Sequence, residues 1–169
     1  MRTVYRTFGK MLLISILAFV LSACHSEPAA EEPVYTSPTI VVGQAEAHQG
    51  DTVTLPVHIY QSPGIAACRL IVEYNNEFLE MQSYTYGEAF SEEGDEPARL
   101  TSPVPFSWSQ LESVTGDELF AELTFKVSKY AEISESYPVT VRYTEGDLID
   151  IDENPVEFTV EDGSVAIIQ

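Results

Sequence analysis

Residues 64–81 read GIAACRLIVEYNNEFLEM, and the alternation in the middle of this stretch decides the fold. One set of side chains, Ala66, Cys68, Leu70, Val72 and Tyr74, is wholly apolar or aromatic, while the interleaved set is Ala67, Arg69, Ile71 and Glu73. Successive side chains of a strand point to opposite faces, so a period of two marks a strand with one face in a core and the other outside. Arginine, glutamate and isoleucine together make a mixed outer face, one that suits contact with a second surface as well as with water.

The same period recurs from Thr39 onward, in runs at 39–47, 51–60, 66–74, 78–86, 105–110, 118–128 and 137–145, then in PVEFTV (155–160) and GSVAIIQ (163–169). Turn-forming groups fall between them: Gln49-Gly50-Asp51, Ser62-Pro63-Gly64, Asn75-Asn76, Thr115-Gly116-Asp117, Glu145-Gly146-Asp147 and Asp162-Gly163. The best helical candidate, SKYAEISES (128–136), is too short to matter. Short alternating strands without amphipathic helices predict an all-β sandwich or jelly roll over residues 39–169. The acidic stretch Gly87–Pro105 lacks alternation and reads as a long loop, with Pro97, Pro103 and Pro105 suited to a sheet edge, where no ladder donor is needed.

Ahead of the strands, residues 1–23 carry Arg2, Arg6 and Lys10, then the apolar run Met11–Leu21 and Leu21-Ser22-Ala23 before Cys24. A basic start, a short apolar centre and small residues before a cut have the layout of an export signal, too short for a comfortable membrane span. Leu-Ser-Ala-Cys resembles the lipobox of bacterial lipoproteins, so Cys24 is the expected lipidated residue, and residues 24–38, rich in Pro, Glu and Ala, are the expected flexible tether. The predicted location is the extracellular face of the cell membrane, with the lipid as the only membrane contact. That leaves Cys68 unpaired, on the apolar face of its strand, as a small buried hydrophobe.

Removing 23 of the 169 residues leaves 146, enough for one domain with a substantial core. Three of the eight basic residues go with the leader, so five face 27 acidic ones, a formal net charge of −22. Nucleic acid is excluded by that balance, because phosphate backbones are held by clustered Lys and Arg. No cofactor or metal is expected. Asp150-Ile-Asp152-Glu-Asn154 copies the opening ligands of a calcium loop and Glu161 its twelfth position, but Pro155 stands where the sharp turn requires Gly. His25, His48 and His58 lack zinc spacing, and no nucleophile sits in a catalytic motif, so the chain reads as a non-enzyme.

The run at 50–81, GDTVTLPVHIYQSPGIAACRLIVEYNNEFLEM, resembles the opening half of a cohesin domain. Phe106-Ser107-Trp108, a Thr-Gly turn, LFAELTFKVS (119–128), Gly146-Asp147-Leu148 and the closing Val165 strand continue the similarity in order, over about residues 39–168. The resemblance implies a nine-stranded jelly-roll β-sandwich that binds the dockerin module of another secreted protein, with polysaccharide degradation as the surrounding biology. It also implies a contact face on the third, fifth, sixth and eighth strands. On the third strand, Ala67 and Arg69 stand where such domains carry Asn and Asp, so a cation that accepts no hydrogen bond replaces an acceptor, and the partner should present an acid or carbonyl.

Alternation supplies the rest of the expected face: Ile71 and Glu73, then Ser107 and Ser109 opposite an inward Trp108. In the sixth strand Leu119, Ala121, Leu123, Phe125 and Val127 read as inward, which sends Phe120 and Glu122 outward. Leu148 and Asp150 match a leucine and an acid that cohesins use for contact. Two other readings stay open. Tyr84, Tyr86 and Phe90 could form an exposed aromatic row for direct carbohydrate binding, and the domain could be an architectural envelope module without a specific ligand.

Overall fold

A computed structural model describes residues 34–91 and 94–169. The expected leader, Cys24 and the first part of the tether lie outside these residues. In chain order the strands are β1 (Thr39–Val42), β2 (Gln44–Ala47), β3 (Thr52–Tyr74), β4 (Leu79–Tyr86), β5 (Val104–Val127), β6 (Ser136–Arg142), β7 (Leu148–Ile149), β8 (Thr159–Glu161) and β9 (Gly163–Ile167). A single 3-10 turn, Glu88–Phe90, is the helical element among the described residues.

β3 and β5 each merge two of the runs that alternation separates. Ser62-Pro63-Gly64 and Thr115-Gly116-Asp117 therefore do not reverse the chain, as the turn chemistry predicts, but form a paired corner. There β3 and β5 stay in antiparallel register from Ile59↔Glu118 through Ser62↔Gly116 and Ile65↔Val114 to Ala67↔Ser109, with bulges between these pairs. Gln61 and Gly116 both hold positive φ, +53° and +83°, which bends the two strands together. The corner is tied by the Gln61 N–H donating to Asp117 Oδ1 at 2.7 Å and by the buried Ser62 hydroxyl donating to the Val114 carbonyl at 2.8 Å.

Two layers follow from this shared ladder. In the first, β8, β1, the first half of β3, the second half of β5 and β4 lie side by side. In the second, the order is β2, β9, β6, the second half of β3 and the first half of β5, with β7 beside β3 at Cys68 and Ala67. The inner faces meet in one apolar core that includes Leu55, Ile59, Leu70, Val72, Phe106, Leu123, Phe125 and Val165, all 2 % exposed or less. Cys68 is buried there as expected, a free thiol whose pKa burial pushes up to about 12. Trp108 is inside too, edge-on to Phe90.

One residue breaks the inward pattern. Val57 pairs with Ala121 but His58 pairs with Leu119, so a bulge places Phe120 and Ala121 opposite a single step of β3. Phe120 is therefore turned into the core, 2 % exposed, against Tyr86, Phe90 and Phe106, and Leu119 is half-exposed. The outward Phe120 expected from strict alternation is corrected by that extra residue. A second bulge, between Met81 and Ser83, reverses parity in β4 in the same way. Leu79 and Met81 are buried, and beyond the bulge Tyr84 and Tyr86 also turn inward, each edge-on to Phe106.

Phe120→Ala should lower stability in urea denaturation by about 3–5 kcal/mol, the usual cost of emptying a core phenylalanine site, whereas Leu119→Ala should cost less than about 1 kcal/mol. Strict alternation requires the reverse order.

Candidate protein-docking face

The outer surface of the second sheet gathers most of the residues that alternation sends outward from 66–74. Ala67 lies between Ser109 and Ile149, Arg69 beside Ser107, Ile71 between Pro105 and Arg142, and Glu73 beside Thr140. Residues directly opposite in adjacent strands share a face, so Ala67, Arg69, Ile71, Glu73, Ser107 and Ser109 form one patch. The Arg142 guanidinium bonds Glu73 Oε2 at 2.8 Å across the sheet.

Three expected members are elsewhere. Phe120 is in the core. Glu122 is exposed, but it lies in the second half of β5, paired with Pro56 and Thr85, on the first sheet and so on the opposite side of the sandwich. Leu148 is 0 % exposed because it pairs with Cys68, the inward position of β3; the outward residue of β7 is its neighbour Ile149.

Asp150 follows at the edge of the patch and closes a turn of its own. Its Oδ1 accepts the N–H groups of Asp152 and Asn154 at 2.9 and 2.8 Å, and its carboxylate also takes the Asn154 amide. These bonds, the Asn154 side chain foremost, hold its pKa below the usual carboxylate value. Asp147 is depressed likewise, chiefly by the Thr144 hydroxyl at 2.6 Å and the Thr144 N–H at 2.7 Å, with Arg69 adding a smaller attraction. The Asp147 carbonyl accepts the Arg69 N–H at 2.7 Å, so this turn braces the middle of the face.

The loop after β4 forms the other border. The Tyr86 hydroxyl donates to the Asp95 carbonyl at 3.0 Å, and the Asp95 N–H donates to the Ser107 carbonyl at 2.9 Å. Gly94, bridged to Trp108, makes this approach possible, because a Cβ there would come within 2.4 Å of the Tyr86 ring. Further along, the Tyr74 hydroxyl donates to the Leu100 carbonyl, and Ser102 Oγ accepts the Tyr74 N–H at 2.9 Å. The pinned loop brings Ala98 and Arg99 against Arg69, Ile71, Pro103 and Pro105 to enclose a hollow of about 320 Å³.

Sequence reasoning missed Arg99, Arg142, Ile149 and Leu111. Arg142 was available from alternation, since Val139 and Val141 are inward. Ile149 was passed over because Leu148 was chosen by likeness to cohesins, while the pairing with Cys68 turns Leu148 inward. Leu111 has no periodic signal: β5 runs from Ser109 to Val114 while β3 runs only from Ala67 to Ile65, and the excess backbone leaves Leu111 94 % exposed. The exposed row of aromatics expected for carbohydrate is not formed, since Phe90 is buried and Tyr84 and Tyr86 are half-buried against the core.

The fold and this surface define the class: an all-β jelly-roll sandwich whose second sheet turns a mixed apolar and charged face to solvent. Residues 38–167 match the family model for the cohesin domain, and the chain belongs to the cohesin family. Cohesins are interaction modules rather than catalysts. Nothing among curated protein sequences matches the chain. Among solved structures, a non-cellulosomal cohesin from the archaeon Archaeoglobus fulgidus is similar with a TM-score of 0.68 and 25 % identity, over 78 % of this chain and 91 % of that one. The third cohesin of ScaC from Acetivibrio cellulolyticus, solved with the ScaB dockerin, gives 0.71 and 18 % identity over 79 % and 100 %. The OlpA cohesin of Clostridium thermocellum, also solved in a cohesin–dockerin complex, gives 0.69 and 19 % over 78 % and 99 %.

Groups with a depressed folded-state pKa stabilise the native state above the unfolded value and lose that contribution as pH falls through the folded one. The carboxyl carbons of Asp147 and Asp150 should thus titrate below 3.8 by NMR, with amide protection at 144–154 falling in the same range. A midpoint at or above 3.8 for either would contradict the bonding described.

Proposed function

We propose that this cohesin domain binds a dockerin-like module on another secreted protein through the outer face of the second sheet. The observation that carries the reading is the face itself: Ile71 and Ile149 supply apolar contact, Arg69, Glu73, Arg142 and Ser109 form a polar surround, and the exposed Leu111 follows Ser109 by two residues in β5. Membership of the family and the dockerin-bound state of similar domains support it. The function is recognition without catalysis. Ala67 and Arg69 remove the acceptor that a dockerin built for the usual Asn and Asp would engage, so the partner is of a different selectivity.

The proposed setting is the outer surface of a cell membrane, with lipid on Cys24 and the stretch beyond it as tether; the supporting feature is Leu21-Ser22-Ala23-Cys24 after the apolar run. A polysaccharide-degrading partner fits that setting, although one similar structure is a non-cellulosomal cohesin, so family membership alone does not imply that substrate.

The test is capture from the secreted proteins of the same organism. A retained protein carrying paired Asp-x-Asp-x-Asn-Gly calcium loops, released by chelation, supports docking. Ile71→Ala combined with Leu111→Ala should then weaken binding at least about tenfold, and Glu122→Ala, on the other sheet, should leave it unchanged. Equal loss from Glu122→Ala would move the interface to the other side of the sandwich. For the anchor, Cys24→Ala should abolish metabolic labelling by an alkynyl fatty acid; persistent label would refute lipidation at that residue.

A further inference from the structure

The hollow between the second sheet and the 95–103 segment has a chemistry of its own. Its walls are apolar, from Ile71, Ala98, Pro103 and Pro105, and its charged groups are Arg69 and Arg99. The prolines carry no N–H, and the Arg69 N–H is already given to Asp147, so the charged hydrogen-bond donors at the hollow are its two guanidinium groups. Among the described residues neither Arg69 nor Arg99 has a carboxylate within 4.0 Å, whereas the adjacent Arg142 is paired with Glu73. The Asp147 carboxylate, the acid that acts on Arg69, is bonded to Thr144. Residues 24–169 hold five basic side chains against 27 acidic ones, and two of the five line this one hollow without an ion pair among the described residues.

We infer that this hollow receives an acidic side chain of the partner, an aspartate or glutamate flanked by aliphatic carbon, and that Arg69 and Arg99 select the partner by that acid. The inference rests on the docking reading above. Charge complementarity supports it: a guanidinium matches a carboxylate in a fork geometry, and the apolar walls strengthen that bond by excluding water. The backbone that carries Arg99 is ordered, because Asp95, Leu100 and Ser102 around it are each hydrogen-bonded to the body of the domain. An arginine on an ordered backbone binds an anion with less loss of freedom than one on a mobile loop.

The experiment selects a displayed library of dockerin modules, randomised at surface positions, on the full chain and on its Arg69→Glu, Arg99→Glu double variant. Binders of the native chain should be enriched in Asp or Glu beside an aliphatic residue, and binders of the variant in Lys or Arg. A native-selected dockerin should lose about 30-fold in affinity for the double variant and regain it when its own acid becomes lysine. Arg99→Gln, confined to an exposed loop, should cost about fivefold with the fold unchanged. Binders without acid enrichment that tolerate both variants within twofold would overturn the inference and leave the docking reading standing. Recovery of no dockerin clone at all would overturn both.

Discussion

The ladder between β3 and β5 is the constraint on which the rest of the structure depends. Two strands of 23 and 24 residues remain paired from Thr52↔Lys126 to Val72↔Val104, and each serves one sheet with its first half and the other sheet with its second. Strands this long cannot stay flat. The bulges at 59–67 and 109–118 take up the twist and carry both chains around the corner together. Ser62, buried and bonded to Val114, is the polar tie that makes the corner tolerable inside the fold.

That shared corner sorts the outward residues. A side chain on the second half of β3 and one on the second half of β5 can both point outward and still be on opposite sides of the sandwich, as Arg69 and Glu122 are. The proposed docking face is therefore assembled from the second half of β3 and the first half of β5, with β6 and β7 completing it from the far side. The bulge that buries Phe120 fills the space beneath the sheet, where Phe90, Phe106 and Trp108 form an edge-to-face cluster under Ser107 and Ser109. A rigid aromatic layer behind a sheet keeps its outer side chains in fixed positions, which is what recognition by a flat surface requires.

Legibility in the sequence followed regularity of pairing. The inward and outward sets of 67–74 were readable because pairing is regular from Ala67 onward, and they fix both Cys68 as core and Ala67, Arg69, Ile71 and Glu73 as surface. Phe120 and Tyr84 were misread because a single extra residue inverts parity downstream and leaves no mark in composition. Leu148 was misplaced for a related reason: its position came from likeness to other cohesins, while its parity is set locally by the pairing with Cys68. Arg99 and Leu111 were illegible because irregular backbone positions them. Arg99 depends on hydrogen bonds from Tyr74 and Tyr86, and Leu111 on surplus residues in β5, and neither leaves a periodic trace.

The acidity of the domain bears on how such a face works. At physiological salt, charges farther than about 8 Å apart are largely screened, so most of the acids contribute only a diffuse field. That field repels an acidic partner at a distance and slows encounter, while a carboxylate seated against Arg69 and Arg99 is attracted over a few ångströms where screening is weak. In the proposed complex the two effects fall on different rates: the surface acts on association, and the arginine-lined hollow on dissociation. A repulsive surround with a local cationic contact favours acidic partners that seat closely in the hollow over acidic partners that only touch the surface. The Glu73–Arg142 pair fits the same arrangement, because neutralising the third arginine keeps the cationic patch narrow and confines its attraction to the hollow beside Ile71.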